Sequence, residues 1–150
     1  MDLYPRYQVP RQAVYLVGAA TVMSTGPALL FLVPARFWAL VLLLPVLAVA
    51  APLANARNRA AFQAACTTGA VVAGIASFPL ALIGFFGIPV IGAVIGWWVS
   101  LFGPATLVLL AARRVANSRL PHRDAMNGGW LIAVFALGTW GGLLALVYGN

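Results

Sequence analysis

Apolar residues in this chain come in long unbroken blocks. They lack the strict alternation of a half-buried strand and the one-sided stripe of a surface helix. Five stretches, near 13–33, 37–54, 67–86, 88–112 and 128–148, are apolar on every side. A hydrocarbon core about 30 Å thick takes about 20 residues of helix at about 1.5 Å each. The pattern therefore predicts an all-α, polytopic membrane protein: a five-helix transmembrane bundle making one transmembrane domain over residues 1–150. The block 67–112 holds no charge over its 46 residues and is too long for one helix. Gly87 and Pro89 mark its expected break, since glycine permits a tight turn and proline cannot continue the hydrogen bonds of a preceding helix.

Polar residues fall between these blocks, and their sign sets a direction. With a cytoplasmic N-terminus, Arg6, Arg11, Arg57, Arg59, Arg113, Arg114, Arg119 and Arg123 are inside, and only Arg36 is outside. That asymmetry follows the positive-inside rule and puts the C-terminus outside. The first apolar stretch is longer than a secretory signal core, and no clear small-x-small cleavage site follows it. It is expected to be a retained anchor. The expected location is a multi-pass position in a bacterial-type cytoplasmic membrane. The outer turns, at 34–36 and 87–89, are a few residues each. The inner loops, at 55–66 and 113–127, are each too short for a soluble domain.

Composition closes off the alternatives. The chain is 63% hydrophobic and 7% charged, too little charge to cover a water-soluble surface and too much apolar matter for a disordered chain. Its net charge of +7 would suggest nucleic acid in a soluble protein. Here the arginines flank membrane spans, so orientation accounts for them and no nucleic-acid partner is expected. Arg113, Arg114, Arg119 and Arg123 are also candidates for anionic lipid headgroups, at about 1 kcal/mol each. Cys66 is the sole cysteine, which excludes an internal disulfide.

In lipid, helices associate where small residues let their backbones approach. Thr67, Ala70, Gly74, Ser77, Ala81 and Gly84 recur at alternating intervals of three and four, one continuous helix face. The third span is accordingly expected to be central. The second, rich in leucine, is expected to be peripheral and lipid-facing. Two Gly-x-x-x-Gly pairs, Gly92/Gly96 and Gly138/Gly142, are expected to pack inside the chain rather than between chains. Trp38 and Trp130 fall near span ends, as interfacial tryptophans do. Trp97, Trp98 and Trp140 fall deep within theirs. They either supply packing volume or, with Ser100 and Thr139, wall a pocket. A short echo links Gly26-Pro27-Ala28 in the first span to Gly103-Pro104-Ala105 in the fourth. Gly-Pro interruptions in inverted positions point to hinges or binding sites in transporters.

Reactive groups are scarce. No acid, histidine, lysine or arginine lies within the five stretches, so carboxylate-based proton coupling is not expected. One cysteine and one histidine cannot supply the usual zinc set, and no cofactor is expected. Ser24, Ser77 and Ser100 lack a base at membrane depth and should bond carbonyls of their own helices. The only catalytic combination is Cys66, His122 and Asp124, far apart in sequence. The expected function is non-enzymatic: a subunit or accessory of a membrane complex, acting by helix packing against itself or other membrane proteins. The alternative is a small oligomeric transporter or channel for a neutral or weakly polar solute.

Overall fold

The computed structural model describes residues 11–30, 36–55, 58–117 and 123–149. Arg6, Arg57, Arg119 and His122 lie outside the described residues. The chain is all-α, with six helices: α1 (Arg11–Leu30), α2 (Arg36–Ala54), α3 (Arg59–Gly87), α4 (Pro89–Val99), α5 (Phe102–Asn117) and α6 (Arg123–Tyr148). Among the described residues, α3 and the segment Met126–Leu146 of α6 are each long and apolar enough to cross a membrane. A bent pair, Pro89–Val99 with Phe102–Ala116, makes a third crossing if it is one span. The shorter apolar segment Leu40–Ala54 belongs to α2. Two or three candidate spans are the signature of a multi-pass membrane protein.

Local chemistry fixes the helix ends. The side chain of Asn58 accepts from the backbone N–H groups of Ala60 and Ala61 at 3.0 and 3.4 Å, so α3 starts at Arg59. The helix thus begins ahead of the apolar stretch expected from 67. A capped polar turn extends the helix beyond its apolar part and leaves a connection far shorter than 55–66. Likewise α5 runs on to Asn117 and α6 opens at Arg123. Between α3 and α4 only Ile88 is extended, and Pro89 follows in the first turn of α4, where its missing N–H is no loss.

α5 is the most enclosed helix, touched by α1, α3, α4 and α6. It buries Phe102, Ala105, Val108, Leu109, Ala112, Val115 and Ala116. α3, expected to be the central span, is enclosed on one side only. α3 packs on α2, α4 and α5 but leaves Val71, Ile75, Phe78, Ile83 and Phe86 exposed along its far side. The physical reason is length. A 29-residue helix outruns its neighbours and can bury only one stripe, whereas the 16-residue α5 is short enough to be met by four other helices. α2 exposes Leu40, Leu43, Leu44 and Leu47 and packs through Val46, Val49 and Pro52.

Contacts between helices show their directions. A side chain on Gly129 of α6 would meet Leu16 of α1 and Ala111 of α5, and one on Gly26 of α1 would meet Trp140 of α6 and Leu101 near the start of α5. α1 and α6 are therefore parallel, with α5 antiparallel between them. Gly69 of α3 meets Leu109 of α5, and Thr106 lies against Ala70, so α3 also runs against α5. As a result the helix ends bearing Arg11, Arg59, Arg113, Arg114 and Arg123 gather at one end of the bundle. Arg36 opens α2 at the other.

Candidate functional site

The first candidate is the break between α4 and α5, where the two helix axes bend by 69°. The sequence places a hinge at Gly103–Pro104, but the fourth span parts three residues earlier, at Ser100–Leu101. The single span expected over 88–112 is thus made of two helices. Proline explains the offset. The ring of Pro104 clashes with the carbonyl of the residue four back, which is Ser100, and so favours a break there, although Pro27, Pro45, Pro52 and Pro79 are carried inside continuous helices. Gly103 and Pro104 then fall in the first turn of α5. Leu101 makes the corner with φ 64°, a left-handed conformation that costs a leucine about 1–2 kcal/mol.

Each residue from Ser100 to Ala105 is buried. Irregular backbone at membrane depth is tolerated where protein covers it. The Ser100 hydroxyl donates to the carbonyl of Trp97 at 2.7 Å and accepts from the N–H of Gly103 at 3.4 Å, tying the two helix ends together. Trp97 lies over Gly103, where an added Cβ would come within 2.5 Å of the indole. Trp98 Nε1–H donates to Thr139 Oγ1 on α6 at 3.3 Å, while that hydroxyl donates to the carbonyl of Phe135 at 2.8 Å. On the other side Gly26 makes room for Leu101 and Trp140, whose atoms would lie 2.9 and 3.0 Å from an added Cβ. The structure therefore brings Gly26, Trp97, Trp98, Ser100, Gly103, Thr139 and Trp140 to one corner. Pro27 and Pro104 are both buried. The Gly-Pro echo does not extend to the backbone: α1 passes Gly26 and Pro27 as helix, whereas Gly103 and Pro104 follow a break.

The hydroxyls at this corner are satisfied by neighbouring groups. Ser24 and Ser77 also donate to carbonyls three residues back, at 2.9 and 2.7 Å. No ionisable side chain occurs between residues 67 and 112. The corner can hold shape and position an apolar or weakly polar group, but it offers no acid or base. Leu101 carried no signal in the sequence, because nothing local marks a non-glycine residue for positive φ.

The second candidate is the small-residue surface. On α3 the Thr67–Ala70–Gly74–Ser77–Ala81–Gly84 face turns inward, with Ala70 and Ser77 buried and the rest half-buried. Gly84 meets the backbone of Gly92, and Gly96 meets the carbonyl of Leu80, so the α3–α4 hairpin closes backbone to backbone. Gly138 and Gly142 do the opposite. Both are exposed, and neither would meet any atom within 4 Å on gaining a side chain. Their expected packing inside the chain is corrected. The inward face of α6 is Gly129, Ala133 and Ala136. The outward face is Gly138, Gly141 and Gly142 among exposed Leu131, Val134, Phe135 and Leu146. A shallow apolar groove of about 590 Å³ also runs along α3, lined by Val71, Gly74, Ile75, Phe78 and Pro79.

The third is the arginine end. Arg113 and Arg114 are exposed there, and Trp130 Nε1–H donates to Gln12 Oε1 at 3.3 Å, linking α6 to α1. Arg123 is the first residue of α6. Arg59 was not singled out by sequence, although an asparagine just before an apolar run is an N-cap signal that would have placed it on a helix. The reactive set Cys66, His122 and Asp124 gains no support. Cys66 is buried in α3, Asp124 is exposed at the start of α6, and among the described residues no three metal-ligating side chains cluster. No protein-family model, curated protein or solved structure matches the chain.

Proposed function

We propose that this chain is a non-enzymatic subunit of a membrane assembly, threaded five times through the bilayer with its arginine end cytoplasmic, and that α6 is its docking element. One observation carries the reading: the Gly138/Gly142 face is uncovered, while Gly84, Gly92 and Gly96 are closed against backbone. Glycine in a membrane helix gains stability only when a second backbone reaches it. An exposed Gly-x-x-x-Gly flanked by Val134, Phe135 and Leu146 suits a partner helix, from another copy or from a different membrane protein. The bent pair α4–α5 counts as one crossing, which makes five and keeps the arginine-bearing ends on one side. Purification in mild detergent with mass measurement tests the reading. A stoichiometric partner or a dimer is expected, reverting to the single chain in Gly138→Leu/Gly142→Leu. A single chain from the outset overturns it.

A second reading, transport of a neutral or weakly polar solute, draws on the Ser100–Leu101 break. About 16 Å of helix, half of a hydrocarbon core, precedes it in α4, and Trp97, Trp98 and Trp140 gather round it. Complete burial of residues 100–105 makes this the lesser reading. Flux of a small neutral solute into vesicles holding the purified protein, absent in Leu101→Trp, is its test.

A further inference from the structure

We propose that the half of the α3–α4 hairpin away from the arginine end is a rigid arm that turns as one unit on the rest of the bundle. Its pivots are Pro79 and the Ser100–Leu101 corner, and its latch is the contact of Trp98 with Thr139. Burial draws the boundary. The last buried residue of α3 is Ser77, and the only buried residue of α4 is Gly96. Beyond Ser77, Ile83, Phe85 and Phe86 of α3 and Val90, Ile91 and Val94 of α4 are all exposed. The arm is nevertheless stiff in itself. Gly84 lies against the backbone of Gly92, and Gly96 lies against the carbonyl of Leu80, so its two legs touch backbone to backbone at two levels. Such contacts have no side chain between them that could rotate and give way.

Both legs soften at one height. Proline has no N–H, so α3 lacks the bond that residue 79 would give to the carbonyl of Ile75. That gap lies between two cross-contacts of α3, Gly74 with Thr106 of α5 and Leu80 with Gly96 of α4. The facing chain passes its own corner between the same two contacts, at Ser100–Leu101. Leu101 stands there at φ 64°, a strained conformation that only its surroundings maintain. Helices bend where a proline removes a bond, and a hinge needs only a few such positions. The groove lined by Val71, Gly74, Ile75, Phe78 and Pro79 lies at this height and leaves α3 room to bend. The latch is a single bond. Among the described residues, the one side-chain hydrogen bond from α4 to α6 runs from Trp98 Nε1–H to Thr139 Oγ1 at 3.3 Å. The inference is independent of what docks on α6.

The test places spin labels on the full chain carrying Cys66→Ala, in nanodiscs diluted with unlabelled chain, and reads distances by pulsed electron resonance. One pair, Phe86→Cys with Val22→Cys, joins the arm to α1. The other, Ile83→Cys with Ile95→Cys, spans the arm itself, and all four positions are exposed. The first pair should give a main distance and a minor displaced one. Thr139→Val removes the acceptor and should raise the displaced share about fivefold, the factor that one hydrogen bond carries. Pro79→Ala restores the missing bond of α3 and should lower that share several-fold, while Pro45→Ala in α2 should change it less than twofold. The distance across the arm should stay single throughout. If Thr139→Val does not fold, Trp98→Phe breaks the same bond from the other side. One unchanged distance from arm to α1 in every variant overturns the proposal. So does a distance across the arm that broadens in step with it, since the hairpin would then be melting rather than turning. Equal effects of Pro79→Ala and Pro45→Ala overturn the pivot.

Discussion

α4 and α6 carry the same glycine spacing and meet opposite fates. Gly92 lies against the backbone of Gly84 and Gly96 against that of Leu80, whereas Gly138 and Gly142 face no atom of the chain. The difference lies in their attachments. A single extended residue, Ile88, joins α4 to α3 and brings Gly84 and Gly92 to the same height on adjacent strands of a helical hairpin. α6 instead settles on α1 and α5 through Gly129, Ala133 and Ala136, which rotates its second small-residue face outward. A Gly-x-x-x-Gly pair thus marks a place where a backbone can approach. Which backbone comes is decided by the connection and by the competing face of the same helix.

The largest expected effect tests that contrast directly. Gly92→Leu places a Cβ against the carbonyl of Gly84, which is backbone and cannot rotate away. The hairpin must open, at about 3 kcal/mol or more, the upper range for overpacking. Gly142→Leu, with open space around it, should leave the stability of the isolated chain unchanged within about 0.5 kcal/mol. Denaturant titration of both variants in detergent, followed by helicity, decides. Equal sensitivity would erase the distinction between a closed and an open face.

Much of this was legible in the sequence and some could not be. The break at Gly87–Pro89 was readable because proline has one comfortable place in a helix, its first turn. The inward face of α3 was readable because six small positions kept one register. The choice between the two glycine pairs was not, since Ala, Gly, Ser and Thr make up about a third of the chain and α6 has small residues on two faces. The enclosure of α5 was hidden by its shortness and its terminal arginines. Its stripe of Phe102, Ala105, Val108, Leu109, Ala112, Val115 and Ala116 follows helical spacing and could have been found by periodicity rather than by hydropathy. At the corner of the fourth span Pro104 was visible as a cause of the break, but nothing marked Leu101 as the residue that would turn.

That corner supplies an intermediate effect with an unusual sign. Leu101 is buried at φ 64°, so Leu101→Ala loses side-chain contacts at Gly26 and keeps the backbone strain. Leu101→Gly loses the same contacts but adopts positive φ freely. Glycine should therefore be the milder substitution by about 1 kcal/mol, against the ordinary order within helices. Leu109, buried within α5, is the control. There alanine should be milder than glycine by a similar amount. The same order at both positions would mean that α4 continues into α5 as ordinary helix, and that the hairpin held by Gly92 does not end at a fixed corner.

The smallest effect bears most on function. Gly138 lies in the interior of α6 with nothing within 4 Å of an added Cβ. Gly138→Ala should therefore stabilise the isolated chain by about 0.5 kcal/mol, by restricting the unfolded backbone and favouring helix. In an assembly built on this face the same methyl stands between two backbones that must touch. The substitution should then weaken association several-fold while strengthening the subunit. Denaturant unfolding at high dilution reads the first quantity, and mass against concentration in detergent reads the second. Opposite signs mean that glycine is kept at this position at a cost to the chain alone, which only a partner backbone would offset. Matching signs, with association untouched even by Gly138→Leu, would make the outer face of α6 a lipid-facing surface like that of α2 and would remove the ground for treating the two glycine pairs as closed and waiting versions of one contact.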